Sequence, residues 1–318
     1  MLSFLSRYYL VTEVNKNSSL ACFRFHLQNK VQYYAAISVL KAGLKTSNLR
    51  DTKDRKSQGL PVKLPIPGVN NVIAVASGKG GVGKSTISVN LALALAQNSV
   101  HKVGLLDADI FGPSIPTLMN LSGQPEINHQ NLMIPLLNYS VKCMSMGFLV
   151  DEQSAVVWRG LMVMSAIQKL LRNVLWGPLD FLVIDMPPGT GDVQLSITQN
   201  IPLSGSIVVT TPQDLALLDA RRAVDMFRQV NVPNLGIIEN MSVFVCPKCN
   251  HHEHIFGQEG GQSIANEIGS EILGSIPLVK ELCFLSDNGQ PVVVAEPENP
   301  VSLIFRSIAD KVVRKLSK

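Results

Sequence analysis

The nine residues from position 78 to position 86 have the composition and spacing of a loop that binds phosphate groups. Glycines stand at its first and sixth positions and are followed by Lys84 and Ser85, which fits the pattern G-x-x-x-x-G-K-[ST]. Backbone N–H groups of such a loop bind phosphate oxygens, the lysine bridges the β- and γ-phosphates of ATP, and the hydroxyl binds Mg²⁺. The residues of this loop that we predict to bind the nucleotide are Gly78, Lys79, Gly80, Gly81, Val82, Gly83, Lys84, Ser85 and Thr86.

Carboxylates follow two short apolar runs further along the chain. Asp185 has the form of a Walker B carboxylate, and we expect it to hold Mg²⁺ together with Ser85. Asp107 and Asp109 follow another run, at the kind of strand end where ligands of α/β proteins bind. Asp109 is the candidate that orients the attacking water, whereas Asp107 could instead cap the next turn. The glycine-hinged loop at 187–192 is suited to respond to the γ-phosphate.

A pair of cysteines, Cys246 and Cys249, is the second feature that could do chemistry. The spacing C-x-x-C brings two sulfurs close together and suits a soft metal, a cluster or a disulfide. The chain supplies one such pair, whereas a [4Fe–4S] cluster normally takes four cysteine ligands. Two copies related by a twofold axis would bring two pairs together and complete the four.

Zinc is the alternative occupant of this cysteine pair. His251, His252 and His254 follow Cys249 closely, so a Cys₂His₂ site within one chain is chemically possible. The second ligand pair of a zinc ribbon usually lies roughly a dozen residues away, and the spacing here is tight for a tetrahedral site. A thioredoxin-like redox pair is less favoured, because no helix evidently starts at Cys246. Spacing alone leaves both the cluster and zinc open.

Short apolar runs that alternate with longer helix-like segments indicate the elements that position these residues. The runs lack apolar/polar alternation and are rich in Val, Ile and Leu, as in strands buried on both faces of a parallel sheet. They lie at 72–76, 103–106, 181–184, 207–210 and 235–238. Helices are predicted at 84–97, 161–172, 215–229, 258–268 and 301–316. We therefore predict an α/β fold with a doubly wound, mostly parallel sheet and helices on both faces, of the P-loop NTPase type.

The composition argues against a membrane span and against a nucleic-acid surface on the fold. Hydrophobic residues make up 46% of the 318 residues and charged residues 16%, which is ample for a buried core. No apolar run approaches the length of a helix that spans a bilayer. The net charge is +4, but the residues after position 50 taken alone are mildly acidic. We expect no nucleic-acid partner and at most a peripheral contact with a membrane.

The basic excess lies in the first 50 residues, which hold seven Lys or Arg and one acid, Glu13. A basic, acid-poor segment of this kind is typical of an organellar transit peptide, and a solubilising tail is the alternative. The polar and then Pro- and Gly-rich residues that follow indicate a linker. We predict a transit peptide at 1–45, a linker at 46–66 and a single P-loop ATPase domain at 67–318.

The phosphate loop carries an additional lysine, Lys79, directly after its first glycine. This form, GKGGVGKST, resembles the MinD/Mrp class of P-loop ATPases. In that class the additional lysine reaches across a dimer interface to the nucleotide of the partner subunit. The resemblance therefore implies a homodimer and adds Lys79 to Lys84 and Asp109 as a candidate catalytic residue. A solvated loop lysine is the alternative.

From Pro67 to nearly its end the chain resembles the Mrp/nucleotide-binding-protein family of iron–sulfur carrier ATPases. The shared segments, in chain order, are GKGGVGKST, LLDADIFGPS, WRG, VIDMPPGTGD, TPQDLALLDA, ENMS, CPKC and HIFG. Eight segments in one order are far more specific than any single motif. The strings MSMGFL and WRGLMVMSAI, together with the basic N-terminal segment (the head, residues 1–50), are most similar to the mitochondrial branch of the family. Members of that branch deliver [4Fe–4S] clusters for the assembly of respiratory complex I.

The resemblance carries roles to matching positions of this chain. It implies phosphate contacts from 80–86, Mg²⁺ at Ser85, a trans contact from Lys79, switch segments at Asp109 and at 185–192, adenine recognition by Asn240 and cluster ligation by Cys246 and Cys249. Cys283 and Phe284 stand where relatives have a polar Arg-Glu step, so a nucleotide or interface role of that segment is not carried over. We expect Cys283 and Cys143 to be buried as small apolar residues.

Three hypotheses on function follow. The first is a slow ATPase, in the mitochondrial matrix, that carries a [4Fe–4S] cluster between two subunits and delivers it to apoproteins such as complex I subunits. The second is a MinD/ParA-type positioning ATPase, for which the mildly amphipathic tail at 304–316, with Lys311, Arg314 and Lys315, is a candidate membrane contact. The third is a zinc-binding scaffold that uses ATP only as a switch. Positioning ATPases do not need the cysteine pair, which favours the carrier.

The head supplies the first testable prediction. Residues 1–45 fused to a fluorescent reporter should direct it to mitochondria, because the segment is basic and nearly free of acids. Fluorescence microscopy with a mitochondrial marker measures this, and a fusion in which the six basic residues of this segment are replaced by glutamine is the control. A cytosolic reporter on the unmodified head would contradict the prediction.

Overall fold

A computed structural model describes residues 63–97, 101–149 and 160–317. The transit peptide predicted at 1–45 and most of the linker predicted at 46–66 lie outside these residues. The same holds for Trp158 and Arg159 of the segment shared with the carrier ATPases.

The first described residues already belong to the domain. Ile66 is buried, and the N–H of Leu64 donates to the carbonyl of Asn200 at 3.1 Å. The Arg172 guanidinium donates to the carbonyls of Leu64 and Pro65, each at 2.8 Å. Residues 64–66 therefore pack on the domain that the sequence places from position 67 onward.

A sheet of nine strands, all within the described residues, forms the centre of the domain. The strands are β1 (Val69–Ser77), β2 (Val103–Asp107), β3 (Leu136–Asn138), β4 (Val141–Ser145), β5 (Leu179–Asp185), β6 (Gly205–Thr210), β7 (Asn234–Val245), β8 (His252–Glu253) and β9 (Ile272–Leu278). Their order along the sheet is β3-β4-β2-β5-β1-β6-β7-β8, and β9 also pairs with β7. The ladders are parallel except for those of β3 with β4 and of β7 with β8. The mostly parallel sheet predicted from the sequence is confirmed.

The helices lie on both faces of this sheet. They are α1 (Lys84–Ala96), α2 (Ile115–Leu118), α3 (Gly160–Arg172), α4 (Asp192–Asn200), α5 (Asp214–Gln229), α6 (Gly260–Ile268), α7 (Lys280–Asp287), α8 (Val292–Ala295) and α9 (Pro300–Leu316). The chain moves from β1 to β2 in one direction along the sheet and from β5 through β6 to β7 in the other. Right-handed crossovers then place α1 on one face and α4 and α5 on the other. The direction reverses beside β1, which is where ligands of doubly wound sheets bind.

The C-terminal helix α9 uses its apolar face inside the protein. Phe305, Ile308 and Val312 are buried, and the helix packs on α1 and β9. The ammonium group of Lys311 donates to the carbonyl of Leu273 at 2.8 Å. Lys315 similarly donates to the carbonyl of Leu235 at 2.7 Å. Arg314 Nε also donates to the carbonyl of Asp310 at 3.2 Å, so all three basic side chains named for the tail are engaged within the chain. Among the described residues, no helix combines the length and apolar composition needed to cross a membrane.

Several elements were not predicted, because polar residues or breakers interrupt their patterns. Strand β9 contains Gly274 and Pro277, which divide its apolar residues. Helix α4 has a mixed polar sequence, and β7 continues through buried Glu239 and Asn240, where the apolar run has ended. The short helices α2, α7 and α8 likewise lack a clear periodicity of apolar residues.

The two remaining thiols of the domain differ in burial. Cys143 on β4 is fully buried, as expected, and burial raises the pKa of its thiol well above the usual range. Cys283 is exposed, so the expectation that it is buried is wrong. Helix α7 turns Leu285 and Ser286 inward, and this leaves Cys283 and Phe284 on its outer side.

Because α9 buries one face and exposes the other, substitutions on the two faces should change the free energy of unfolding by different amounts. Phe305→Ala should lower the free energy of unfolding by about 3–5 kcal/mol, because it leaves a cavity between α9, α1 and the sheet. The control Leu303→Ala lies on the same helix at an exposed position and should change it by less than about 1 kcal/mol. Denaturant unfolding measures both. Equal effects of the two substitutions would contradict the placement of α9.

Candidate nucleotide site and cysteine pair

The phosphate loop is a tight turn between β1 and α1. Gly81 and Gly83 have φ angles of 82° and 83°, in the left-handed region that favours glycine. A Cβ atom at Gly78 would lie 2.2 Å from the backbone carbon of Asp219 on α5, so the loop rests directly on that helix. Helix α1 begins at Lys84, and its first N–H groups therefore face the concave side of the loop.

The carboxylate of Asp185 at the end of β5 accepts hydrogen bonds from three side chains in the first turns of α1. It accepts from Lys84 Nζ at 2.8 Å, from Ser85 Oγ at 2.6 Å and from Ser88 Oγ at 2.7 Å. Asp185 is completely buried and Lys84 nearly so. The structure thus brings together Lys84, Ser85 and Asp185, as the sequence predicts. Ser88 was missed, and its place one helical turn after Lys84 could have indicated it.

The loop opens into a cavity of about 310 Å³ whose far wall comes from other strand ends. It is lined by Ser77, Gly80, Gly81, Gly83, Lys84, Ser85, Thr86, Asp109, Ser114, Leu118 and Pro188. Six of the nine predicted nucleotide-binding residues therefore line one cavity together with Asp109, whereas Gly78, Lys79 and Val82 do not. Burial raises the pKa of the Asp109 carboxyl above its ordinary value, although the nearby Lys84 charge opposes this.

Asp107 serves as an anchor for the loop that carries Asp109. Its carboxylate accepts from the N–H of Asp109 at 3.1 Å, from the N–H of Ile115 at 3.2 Å and from Ser145 Oγ at 3.0 Å. The alternative that Asp107 caps the next turn thus fits the structure better than a role at the cavity. Burial, reinforced by the neighbouring Asp185 carboxylate, raises the pKa of Asp107 to about 7.

The loop after Asp185 is braced by Gln194, which the sequence analysis did not single out. Its Nε2 donates to the carbonyls of Pro187 at 2.7 Å and Gly189 at 2.9 Å, and its Oε1 accepts from the N–H of Gly191 at 2.8 Å. One buried amide therefore fixes the predicted second switch segment along most of its length. A glutamine two residues after a glycine-rich loop gives no distinctive signal in a single sequence.

Asn240 on β7 contacts the phosphate loop from the other side. Its Nδ2 donates to the carbonyl of Val82 at 2.8 Å, and a Cβ atom at Gly83 would lie 2.3 Å from that nitrogen. The amide nitrogen is thus committed to the loop, and the carbonyl oxygen is what remains for a base. The next residue, Met241, has a left-handed φ of 56°, and the pairing of β7 with β9 shifts just after it.

Lys79 does not point toward the cavity of its own loop. Its Nζ donates to Gln213 Oε1 at 2.8 Å, at the residue that precedes α5. The prediction that Lys79 acts in trans requires a side chain that can leave its own loop. The contact with Gln213 shows it directed away from the cavity.

The cysteine pair lies in a turn at the end of β7. The carbonyl of Cys246 accepts from the N–H of Asn250 at 2.9 Å, and its own N–H donates to the carbonyl of His251 at 2.9 Å. The N–H groups of Lys248 and Cys249 hydrogen-bond the Cys246 sulfur and lower its pKa. Cys249 is exposed and Cys246 partly so. Such a turn stabilises a thiolate and presents it at the surface.

Two of the three histidines beyond the pair contact other partners. His254 Nδ1 lies 3.2 Å from the carbonyl of Ser242, and His251 Nε2 lies 3.2 Å from Glu253 Oε2. Within the part of the chain that the structure describes, no three His, Cys, Asp or Glu side chains come together as a metal site. One chain thus offers two sulfurs and does not assemble the Cys₂His₂ alternative.

Two curated proteins are similar to this chain over most of its length. The iron–sulfur cluster transfer protein NUBPL of Mus musculus is 60% identical over 261 residues, which cover 82% of each chain. An iron–sulfur protein of Arabidopsis thaliana, described as required for NADH dehydrogenase and mitochondrial, is 53% identical and covers 82% of this chain and 83% of its own.

Solved structures agree with the fold. A nucleotide-binding protein of Archaeoglobus fulgidus, in complex with ADP, has a TM-score of 0.65 at 38% identity over 75% of this chain and 93% of its own. The cell division ATPase MinD of Pyrococcus furiosus has a TM-score of 0.59 at 21% identity, over 77% of this chain and 99% of its own, and shares the fold alone.

The prediction of a MinD-like P-loop fold is therefore confirmed. Residues 68–313 also match the ParA-type family described as the NUBPL iron-transfer P-loop NTPase. This range contains the phosphate loop, Asp185, Asn240 and the cysteine pair. Together with identities of 50–60% to iron–sulfur transfer and carrier proteins, the match shows that the chain belongs to the NUBPL iron-transfer P-loop NTPases.

Proposed function

We propose that this protein is an ATP-dependent carrier that holds an iron–sulfur cluster as cargo and delivers it to apoproteins. One observation carries the proposal: a single strand, β7, braces the phosphate loop through Asn240 and ends six residues later in the thiolate turn at Cys246. Six residues of strand span about 20 Å. The nucleotide loop and the cargo site are therefore connected through one strand.

The similar proteins support a more specific form of this proposal. The mouse relative is named for cluster transfer and the plant relative for a requirement of NADH dehydrogenase and for mitochondria. We extend this to a [4Fe–4S] cargo, to complex I subunits as recipients and to the mitochondrial matrix, with 1–45 as the transit peptide. The basic, acid-poor head supports the location.

The residues of the site have distinct parts in binding and turnover of ATP. N–H groups of 80–86 hold the phosphate oxygens, and Lys84 exchanges its contact with Asp185 for the β- and γ-phosphates. Asp109 faces the same cavity and orients the attacking water, and Asp107 keeps the loop of Asp109 in place. Asn240 presents its carbonyl oxygen to the adenine amino group.

The donor set at Ser85 and Asp185 fits Mg²⁺. A hydroxyl and a carboxylate oxygen lie 2.6 Å apart beside the loop, and hard oxygen ligands of this kind suit the ion. When bound, Mg²⁺ neutralises charge on the β- and γ-phosphates. Ser85 and Asp185 would hold the ion, and Ser88 keeps the Asp185 carboxylate oriented.

Two chains are needed for the cargo. Each supplies Cys246 and Cys249, and a [4Fe–4S] cluster is held by four thiolates, so the cluster bridges a homodimer on its twofold axis. The same dimer brings Lys79 of each chain to the nucleotide of the other. The exposed position of the thiolate turn supports this arrangement, because a partner chain can approach it.

The two alternatives are supported less well. A positioning ATPase of the membrane-binding type needs a free amphipathic tail, whereas α9 buries Phe305 and Ile308 and engages Lys311 and Lys315 within the chain. A zinc scaffold needs histidine ligands that converge on the cysteines, and His254 faces the carbonyl of Ser242 instead.

Substitution of Lys84 tests the nucleotide site. Lys84→Ala should abolish ATP turnover, because the phosphates lose their cation. The double variant Lys84→Ala/Asp185→Asn should be equally inactive but better folded, since it leaves no uncompensated buried carboxylate. Phosphate release and thermal unfolding are the measurements.

The matched control is Lys169→Ala, which removes an exposed lysine on α3 and should leave turnover unchanged. Wild-type turnover in either Lys84 variant would end the assignment of this loop as the ATP site.

Substitution of the cysteines tests the bridging cluster. Cys249→Ser should lose the cluster and the cluster-linked dimer together while ATP binding persists, because half of the thiolates are gone. His254→Ala should keep both, because this imidazole faces the carbonyl of Ser242. Native mass spectrometry of anaerobically reconstituted protein measures the dimer, and iron and sulfide analysis measures the cluster.

Two results would contradict the bridging arrangement. One is a monomer that carries a complete cluster. The other is a Cys249→Ser dimer that retains one. Loss of metal in His254→Ala, with zinc rather than iron in the wild type, would instead support the scaffold.

A further inference from the structure

We infer that Gln213 is a positioning residue that holds Lys79 in its own subunit and thereby sets how readily two ATP-bound chains associate. The inference rests on the proposed function, in which Lys79 acts across a dimer. The structure gives Lys79 a partner within its own chain, at 2.8 Å from Nζ to Gln213 Oε1.

The backbone around Lys79 is held firmly, so that only its side chain is free to change partner. Ser77 Oγ donates to the carbonyl of Lys79 at 2.9 Å. Gly78, the preceding residue, packs so closely on the backbone of Asp219 that no side chain would fit there. Lys79 can therefore move from its own subunit to the partner subunit by a change of side-chain contact alone, without a backbone rearrangement.

Gln213 is placed at the border of a surface that a second copy would cover. It has extended backbone angles and directly precedes α5. The next two turns of that helix expose Leu215 and Leu218, with 63% and 47% of their surface open to solvent. Apolar side chains beside an exposed lysine contact suit a partner chain, because its approach would bury them.

The hydrogen bond between Lys79 and Gln213 is weak enough to oppose the association of two chains without preventing it. A hydrogen bond from an exposed ammonium to a neutral amide competes with water, so its loss should change an association constant only about threefold. The phosphate oxygens of a partner's nucleotide carry charge and bind an ammonium more strongly than an amide does. Lys79 therefore leaves Gln213 when a partner with ATP is present, and each association must first break this bond.

Opposite substitutions at Gln213 test the inference. Gln213→Ala removes the competing acceptor, so the dimer formed by the full chain with Mg²⁺ and a non-hydrolysable ATP analogue should be about threefold tighter. Gln213→Glu gives Lys79 a charged partner, so that dimer should be about threefold weaker. Sedimentation velocity over a range of protein concentrations measures the dissociation constants.

The control for added charge is Gln229→Glu, an exposed position at the opposite end of α5 from Gln213, which should keep the wild-type constant. Binding of a fluorescent ADP analogue to each chain should be the same in all variants, which separates a change of association from damage to the nucleotide site. A weaker dimer in Gln213→Ala, or an unchanged dimer in Gln213→Glu, would overturn the inference. Failure of the wild-type chain to dimerise with the analogue would instead count against the proposed function.

Discussion

The buried carboxylate of Asp185 is the interaction on which the phosphate loop depends. A charge that is removed from water must be matched by partners, and here Lys84, Ser85 and Ser88 provide them from one side of α1. Loss of one partner of a buried pair typically destabilises a protein by about 3–5 kcal/mol. This network fixes the start of α1 against the end of β5, and the loop between β1 and α1 has its shape because both of its ends are fixed.

A second constraint comes from β7, which contacts the loop where Asp185 does not. The Asn240 amide binds the carbonyl of Val82 and fills the space that a side chain at Gly83 would need. Beyond Asn240 the strand bends at Met241 and then leads to the thiolate turn. A displacement of the loop by a nucleotide could therefore reach Cys246 through one hydrogen bond and six residues of backbone. Coupling between the two sites needs no additional domain.

The sequence predicted the parts of this arrangement that depend on local patterns. Buried parallel strands, the glycine-rich loop and Asp185 each leave a signature in residue type or spacing, and the structure brings them together as expected. Contacts made by isolated polar residues leave no such signature. Ser88 and Gln213 each act through one hydrogen bond to a residue distant in the sequence, and Gln194 acts through several bonds to the backbone of a loop. Cys283 shows the opposite case. Its apolar neighbours in the sequence predicted that it is buried, whereas α7 turns it outward.

The attachment of the first described residues to the domain has a consequence for proteolytic processing. A peptidase binds its substrate as an extended strand, and backbone that is already hydrogen-bonded inside a folded protein cannot enter such a cleft. The carbonyls of Leu64 and Pro65 are held by Arg172, and the side chain of Ile66 is buried. A peptidase that removed the predicted transit peptide after the domain had folded would therefore have to cut on the N-terminal side of this attachment. The resulting chain would retain Leu64, Pro65 and Ile66.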